Sequence, residues 1–198
     1  MAVSLAPVPP VDFARPSIGE AEIAEVVAVL RSGWLTTGAR VQRFERAFAD
    51  YVGASHAVAV NSCTAALHLS LLAAGIGPGD EVVTTPLTFC ATANVIVHVG
   101  ATPVFADVDP LTMNITPATV EPVMTSRTKA ILPVHFAGRP VDVSGFEDLA
   151  RRRGVVVIED AAHAVEASSQ GRKIGGASAD ATCFSFYATK NLTTGEGG

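Results

Sequence analysis

The sequence predicts an α/β fold in which a mostly parallel sheet carries helices on both faces. Short β-branched apolar runs alternate along the chain with segments whose apolar residues recur at helical spacing. Runs such as VVVIED are apolar almost throughout, which is typical of strands buried on both faces. The chain has 198 residues, of which 48% are hydrophobic and 17% charged, so it is long enough for one such domain and general disorder is excluded.

Each predicted element follows from a local pattern. Ile23, Val26, Val27 and Leu30 have the i, i+3, i+4, i+7 spacing of an amphipathic helix, and a second aromatic helix face covers residues 44–51. Six apolar runs are predicted strands: 57–60, 81–85, 103–108, 129–134, 155–159 and 181–186. Helical patterns lie between several of them: 64–74, 91–99, 117–124 and 143–153.

The ends and the composition limit the classes of function. Residues 1–18 are rich in proline and predict a loose arm, without a signal peptide, before a domain spanning 19–198. The net charge is −5 and the basic run at 151–153 fits a solvated helix end, so no nucleic-acid partner is expected. The uncharged stretch after Glu81 is interrupted by Pro, Asn and Gly, which favours a soluble core over a membrane span. Three cysteines without metal-ligand spacing predict reduced thiols, a cytoplasmic protein and no metal.

The first segment with candidate chemistry is the turn Asn61-Ser62-Cys63-Thr64, which follows the first predicted strand and opens a helix. A helix start offers free N–H groups and the positive end of the helix dipole, which suit a phosphate. The hydroxyls of Ser62 and Thr64 add possible donors. A plain helix cap explains the same residues, so the two interpretations stay open here.

The second segment is the end of VVVIED, where Asp160 closes a strongly apolar strand. A buried carboxylate needs a partner, and one suitable partner is a protonated pyridine nitrogen, which the carboxylate would keep protonated. Capping of a following helix is the alternative. His163 lies three residues on, about one turn away if a helix follows, and could pack on such a ring.

The third segment is the polar, Gly-rich loop after the last predicted strand, which contains Lys190. A Lys amine beside a cationic or apolar site can act as nucleophile and base, although most loop lysines are simply solvated. Ser185 and Asn191 are possible contacts to a phosphate. Phe89 follows the second strand and could stack on a flat ring or fill the core.

Five ordered segments now carry a resemblance: NSCTAALHL, PLTFCATANVIVHVGATPVFADVD, TKAILPVHFAG, VVVIEDAAHAVEA and FSFYATKNLTTGEGG. Together they resemble the DegT/DnrJ/StrS family of nucleotide-sugar aminotransferases, from about residue 19 to the last residue. The resemblance implies the N-terminal half of a fold-type-I enzyme dependent on pyridoxal 5'-phosphate (PLP), with an incomplete large domain and no small domain.

The resemblance also implies roles for single residues. Lys190 would bind PLP as a Schiff base and shuttle the proton, and Asp160 would pair with the pyridine nitrogen. Phe89 would stack on the ring, with His163 beside it. The residues implied for the phosphate site are Ser62, Cys63 through its backbone N–H, Thr64 and Ser185, with Asn191 as a further contact.

The implied reaction moves an amino group from glutamate to a keto group of a nucleotide-linked sugar, in a homodimer. Members of the family are nearly twice as long as this chain, so we expect residues 1–198 alone to be poorly soluble, to bind PLP weakly and not to turn over a sugar. Two alternatives remain. Related PLP-dependent sugar dehydratases carry His at the position of Lys190, so the Lys favours transamination. The other alternative is a truncated, non-catalytic PLP-binding or regulatory remnant, against which the intact Lys190 and Asp160 argue and which the short chain keeps open.

Overall fold

The main sheet has five parallel strands. The computed structural model describes residues 14–176 and 179–198. The sheet strands are β1 (Glu81–Thr84), β2 (Thr102–Phe105), β3 (Thr128–Leu132), β4 (Val156–Asp160) and β7 (Ala181–Cys183), and they lie side by side in the order β2-β1-β3-β4-β7. A short antiparallel hairpin, β5 (Ser168–Ser169) with β6 (Arg172–Lys173), forms a separate sheet. The predicted mostly parallel sheet is confirmed.

Six α-helices surround this sheet in the described part of the chain. They are α1 (Glu20–Ser32), α2 (Ala39–Val52), α3 (Cys63–Ala73), α4 (Ala91–His98), α5 (Pro117–Val120) and α6 (Val143–Arg153), with 3-10 turns at Glu121–Val123 and Phe136–Gly138. Ser62 and Asp142 cap α3 and α6, since their side chains accept hydrogen bonds from Ala65 N and Gly145 N. The arginines at the end of α6 are solvated there, as predicted, and complement the helix dipole.

Alternating strand residues build a core on each face of the sheet. Val83, Ile131 and Val157 are buried in the core that also contains residues of α2 and α6. Their neighbours Val82, Leu132 and Ile158 are buried with α3 and α4 on the opposite face. Burial on both faces explains the continuous apolar runs and confirms that helices cover the sheet on two sides.

The strand order reverses between β1 and β3, because the chain leaves β1 for the β2 edge and then returns to the other side. In open α/β sheets of this kind, ligands bind outside the carboxyl ends of the strands near such a reversal. The loop with Phe89, the segment after β3 and the end of β4 all meet at this edge.

Three predicted strands were wrong. The predicted strand 103–108 ends at Phe105, where β2 stops. The segment 57–60 forms no strand, because its backbone–backbone hydrogen bonds in the described chain are limited to a reciprocal pair between Val60 and Gly198. A groove of about 500 Å³ separates it from β7. Strand β7 ends at Cys183 rather than at 186 and lies at the sheet edge, since Phe186 instead bonds to Gly197 and Thr194 within the C-terminal loop.

Two helical predictions also changed. The segment 117–124 splits into a short α-helix and a 3-10 turn, with Pro122 at the junction. His163 lies in successive turns rather than in a helix, because Ala164 N donates to Ala161 O and the turns do not continue. Residues 1–13 of the predicted arm lie outside the described residues. Among the described helices, none has the length and apolarity needed to cross a bilayer.

Candidate active site

Asp160 is fixed at the carboxyl end of β4. Its backbone N–H donates to Pro133 O at 2.9 Å, and its carbonyl accepts from His135 N at 3.0 Å. Its side chain is almost fully buried. Oδ1 accepts a hydrogen bond from Ala162 N at 3.1 Å and also lies 4.0 Å from the weak donor Cys63 Sγ, whereas Oδ2 accepts from Thr92 Oγ1 at 2.8 Å. The capping alternative is not what the structure has, since no helix follows Asp160 and the bond to Ala162 N closes a turn.

The start of α3 lies against the same carboxylate. Cys63 Sγ is 4.0 Å from Asp160 Oδ1 and 3.5 Å from Cys183 O. Burial, and then the nearby Asp160 charge, raise the pKa of Cys63 far above its ordinary value, and burial raises the pKa of Cys183 to about 12. Both thiols are therefore neutral at physiological pH and neither is a reactive thiolate.

The first turn of α3 has donors available. Ser62 uses its hydroxyl oxygen to cap Ala65 N, and the first helical backbone bond runs from Ala66 N to Ser62 O. The N–H groups of Cys63 and Thr64 precede that bond and so have no acceptor within the helix. The Gly198 backbone approaches this turn closely, since a Cβ there would lie 2.3 Å from Cys63 N.

Lys190 lines a cleft of about 470 Å³ beside this edge of the sheet. The cleft is bounded by Ala137, Gly138, His163, Glu166, Ala167, Thr189, Lys190 and Asn191. Burial and then the positive charge of Lys190 lower the pKa of His163, while the Asp160 charge acts in the opposite direction. The structure thus brings Lys190, His163 and Asp160 within electrostatic range of one another.

The remaining predicted residues lie around the same edge. Phe89 is 76% exposed directly before α4, and Thr92 N donates to its carbonyl, so the core interpretation of this ring is wrong. Ser185 is half-buried, two residues beyond Cys183, and Cys183 pairs with Asp160 in the sheet. Its hydroxyl accepts a long hydrogen bond from Tyr187 N at 3.5 Å.

Sequence reasoning missed the groups that hold Asp160 and its neighbour. The Thr92 hydroxyl that binds Asp160 also lies 2.8 Å from Thr88 Oγ1. Thr88 lies in the bend before α4 and Thr92 in the first turn of that helix, and nothing in the sequence signals the contact of Thr92 with a residue 68 positions away.

Glu159 was also missed. It is buried on the opposite face of β4 and accepts from Thr182 Oγ1 at 2.8 Å. His135 lies next to it, with Nε2 3.7 Å from Glu159 Oε1, while His135 Nδ1 accepts from Val141 N at 3.2 Å. A charged residue inside an apolar run signals some buried partner, but the sequence does not say which one.

Residues 16–198 match the model of the DegT/DnrJ/EryC1/StrS aminotransferase family. The chain belongs to this family. A curated relative, the spore coat polysaccharide biosynthesis protein SpsC of Bacillus subtilis, is 59% identical over 186 residues, which are 94% of this chain and 48% of SpsC. The chain therefore spans about half the length of the relatives it matches.

Solved structures agree on the fold. Spr1654 from Streptococcus pneumoniae, in its PLP form, superposes with a TM-score of 0.90 at 40% identity, over 94% of this chain and 51% of that one. DesI, determined with its TDP-sugar product, gives a TM-score of 0.85 at 39% identity, over 91% of this chain and 46% of DesI. The family is PLP-dependent, and the fold class predicted from the sequence, that of the fold-type-I transferases, is confirmed.

Proposed function

We propose that the protein containing these residues is a PLP-dependent aminotransferase that moves an amino group from glutamate to a keto group of a nucleotide-linked sugar. Family membership supports the reaction class. The TDP-sugar product in DesI and the polysaccharide role of SpsC support the substrate class. A cytoplasmic homodimer is part of the same proposal.

The arrangement of Asp160 is the observation that carries the proposal. When bound, PLP supplies a protonated ring that stabilises negative charge at the carbon attached to the transferred nitrogen. Oδ2 of this buried carboxylate has a single donor among the described residues, Thr92 Oγ1, and keeps a free lone pair, so it can accept one more hydrogen bond from a cationic N–H without further reorganisation. These residues fit PLP.

The other site residues supply the remaining functions. Lys190 would hold the cofactor covalently through Nζ and, once displaced by the incoming amine, move a proton as general acid and base in its open cleft. Phe89 presents an exposed ring for stacking, with His163 at the edge. The phosphate would be bound by Ser62, Thr64, the backbone N–H of Cys63, Ser185 and Asn191.

Lys190 also separates this function from one of the alternatives. The dehydratases that resemble this family have His at this position, and His cannot form the covalent link to PLP. The presence of both Lys190 and Asp160 argues against long decay to a non-catalytic remnant, and turnover of the complete protein distinguishes the two.

The proposal is tested by finding the lysine that binds PLP. The complete protein containing residues 1–198 is reduced with borohydride in the presence of PLP, digested and mapped. We expect a single reduced label on Lys190 and none in Lys190→Ala. Lys173→Ala serves as the matched control, because Lys173 Nζ lies over the Tyr51 ring at 3.8 Å, and this variant should keep the label. A label on Lys129 or Lys173 would refute the assignment.

A further inference from the structure

We propose that Thr92 is a positioning residue that fixes the Asp160 carboxylate for the cofactor ring and aligns it with the Phe89 segment. This inference rests on the proposed function. It assigns a task to a fully buried hydroxyl that the proposed chemistry does not otherwise use.

The direction of the hydrogen bonds follows from counting protons. An ionised carboxylate only accepts, so the single proton of the Thr92 hydroxyl points to Asp160 Oδ2, at 2.8 Å. The 2.8 Å contact between the hydroxyls of Thr88 and Thr92 must then be a donation from Thr88. The result is a one-way chain, Thr88 to Thr92 to Asp160.

This chain complements the other anchor of the carboxylate. Ala162 N holds Oδ1 at 3.1 Å from the turn after β4, whereas Thr92 holds Oδ2 from α4 on the adjacent side. Two donors from different elements prevent rotation about the Cβ–Cγ bond. The carboxylate plane is therefore set before the ring arrives, and Oδ2, whose one donor in the described chain is Thr92, keeps a lone pair for it.

The same chain links two groups that meet the ring at different places. Phe89 directly follows Thr88, and its carbonyl accepts from Thr92 N at 3.1 Å. The residue expected at the face of the ring and the carboxylate expected at its edge are therefore joined through the turn that leads into α4. Loss of the Thr92 hydroxyl removes the hydrogen bond that connects this turn to Asp160, while the apolar packing stays in place.

Thr84 offers a matched control. It is also fully buried, and its hydroxyl donates to a backbone carbonyl, Leu132 O, at 2.7 Å, on the neighbouring strand β3. Thr84→Val removes the same chemical group from another fully buried position, at the end of β1, and leaves the hydrogen bonds of Asp160 in place. A merely structural role for Thr92 predicts that the two valine variants behave alike.

The experiment uses the complete protein loaded with PLP labelled at the ring nitrogen, and measures the nitrogen NMR shift, kcat and KM. We expect Thr92→Val to move the ring-nitrogen signal toward that of unprotonated pyridine and to lower kcat about tenfold or more, as for the loss of one hydrogen bond to a charged group. The KM for glutamate should change by less than about threefold, since no contact to substrate is removed. Thr92→Ser should restore the signal and the rate.

The titratable groups facing Asp160 are Cys63 on α3, Cys183 on β7, His163 after β4 and Lys190 in the C-terminal loop. The NMR comparison is therefore made at one fixed pH for all variants. An unchanged ring-nitrogen signal in Thr92→Val, or an equal change in Thr84→Val, overturns the inference.

If Thr92→Val does not fold, Thr88→Val decides. It deprives the Thr92 hydroxyl of its donor, and the signal should move part of the way; no movement overturns the inference. Labelling of Lys190 together with an unchanged signal refutes this inference alone, whereas labelling of another lysine refutes the proposed function.

Discussion

Glu159 and Asp160 are adjacent carboxylates on one strand, and their surroundings differ. Side chains alternate along a strand, so Glu159 faces the core containing α2 and α6 while Asp160 faces α3 and α4. Both are buried and both accept hydrogen bonds from threonines, Thr182 and Thr92. Glu159, however, is enclosed with His135, whereas Asp160 lies at the carboxyl end of β4, on the side of the sheet where ligands bind in open α/β folds. Burial alone does not distinguish the two; position along the strand does.

Replacing each of the two carboxylates by its amide, Asp160→Asn and Glu159→Gln, tests this comparison with the largest expected difference. We expect Asp160→Asn to leave PLP bound but to slow transamination by roughly three orders of magnitude, because a neutral amide cannot hold the ring nitrogen protonated and each pKa unit of lost coupling is worth about 1.4 kcal/mol. Single-turnover kinetics with glutamate measure the effect. A rate within about threefold of the parent would contradict the assigned role.

Glu159→Gln is the matched control, since it removes the same charge one residue earlier. Here we expect the free energy of unfolding to fall by about 1–3 kcal/mol. The amide nitrogen of Gln is itself a donor, and it would face the donors of His135 and Thr182 that now point to the carboxylate. Turnover per folded molecule should stay within about threefold of the parent. Denaturant unfolding with parallel rate measurements gives both values, and a large loss of rate at full occupancy would place Glu159 in the reaction.

Thr182→Val sharpens the comparison with a smaller change. It removes the hydroxyl that donates to Glu159 Oε2 at 2.8 Å and should cost about 1–2 kcal/mol of unfolding free energy without altering the bound cofactor's absorbance. Chemical unfolding and the absorbance spectrum are recorded on the same sample. A changed spectrum would contradict the prediction, because it would mean that the hydrogen bond to Glu159 affects the surroundings of the bound cofactor.

The smallest expected effect concerns His163. Its pKa is lowered mainly by burial, so the folded state disfavours its protonated form and stability is lost as the pH falls below about 6.5, the ordinary value for histidine. His163→Gln removes this group, and its unfolding free energy should fall less than that of the parent between about pH 7 and pH 5. Because the ring is only partly buried, the difference is small; an identical pH profile in the two proteins would contradict the prediction.

The sequence predicted the sheet, its two-sided burial and the strand end that carries Asp160, because apolar continuity over short runs is a local signal. It failed at residues 57–60, where the composition of a strand is present but the neighbouring ladder is not. The same limit applies to the site. Lys190 and Asp160 stand out as polar residues after apolar runs, whereas the role of Thr92 is visible only in the folded chain, where α4 brings its hydroxyl to the end of β4.

The contacts around Asp160 join segments that are far apart along the chain. Cys63 meets Cys183 across 120 residues, and Thr92 meets Asp160 across 68. Parallel strands need long crossovers, and contacts of large sequence separation form slowly because loop-closure entropy is lost before they are made. No fragment of the sheet contains all the groups that surround the Asp160 carboxylate. During folding, PLP can therefore be captured only after nearly all the strands have paired, so cofactor uptake should follow, and report on, the last steps of sheet assembly.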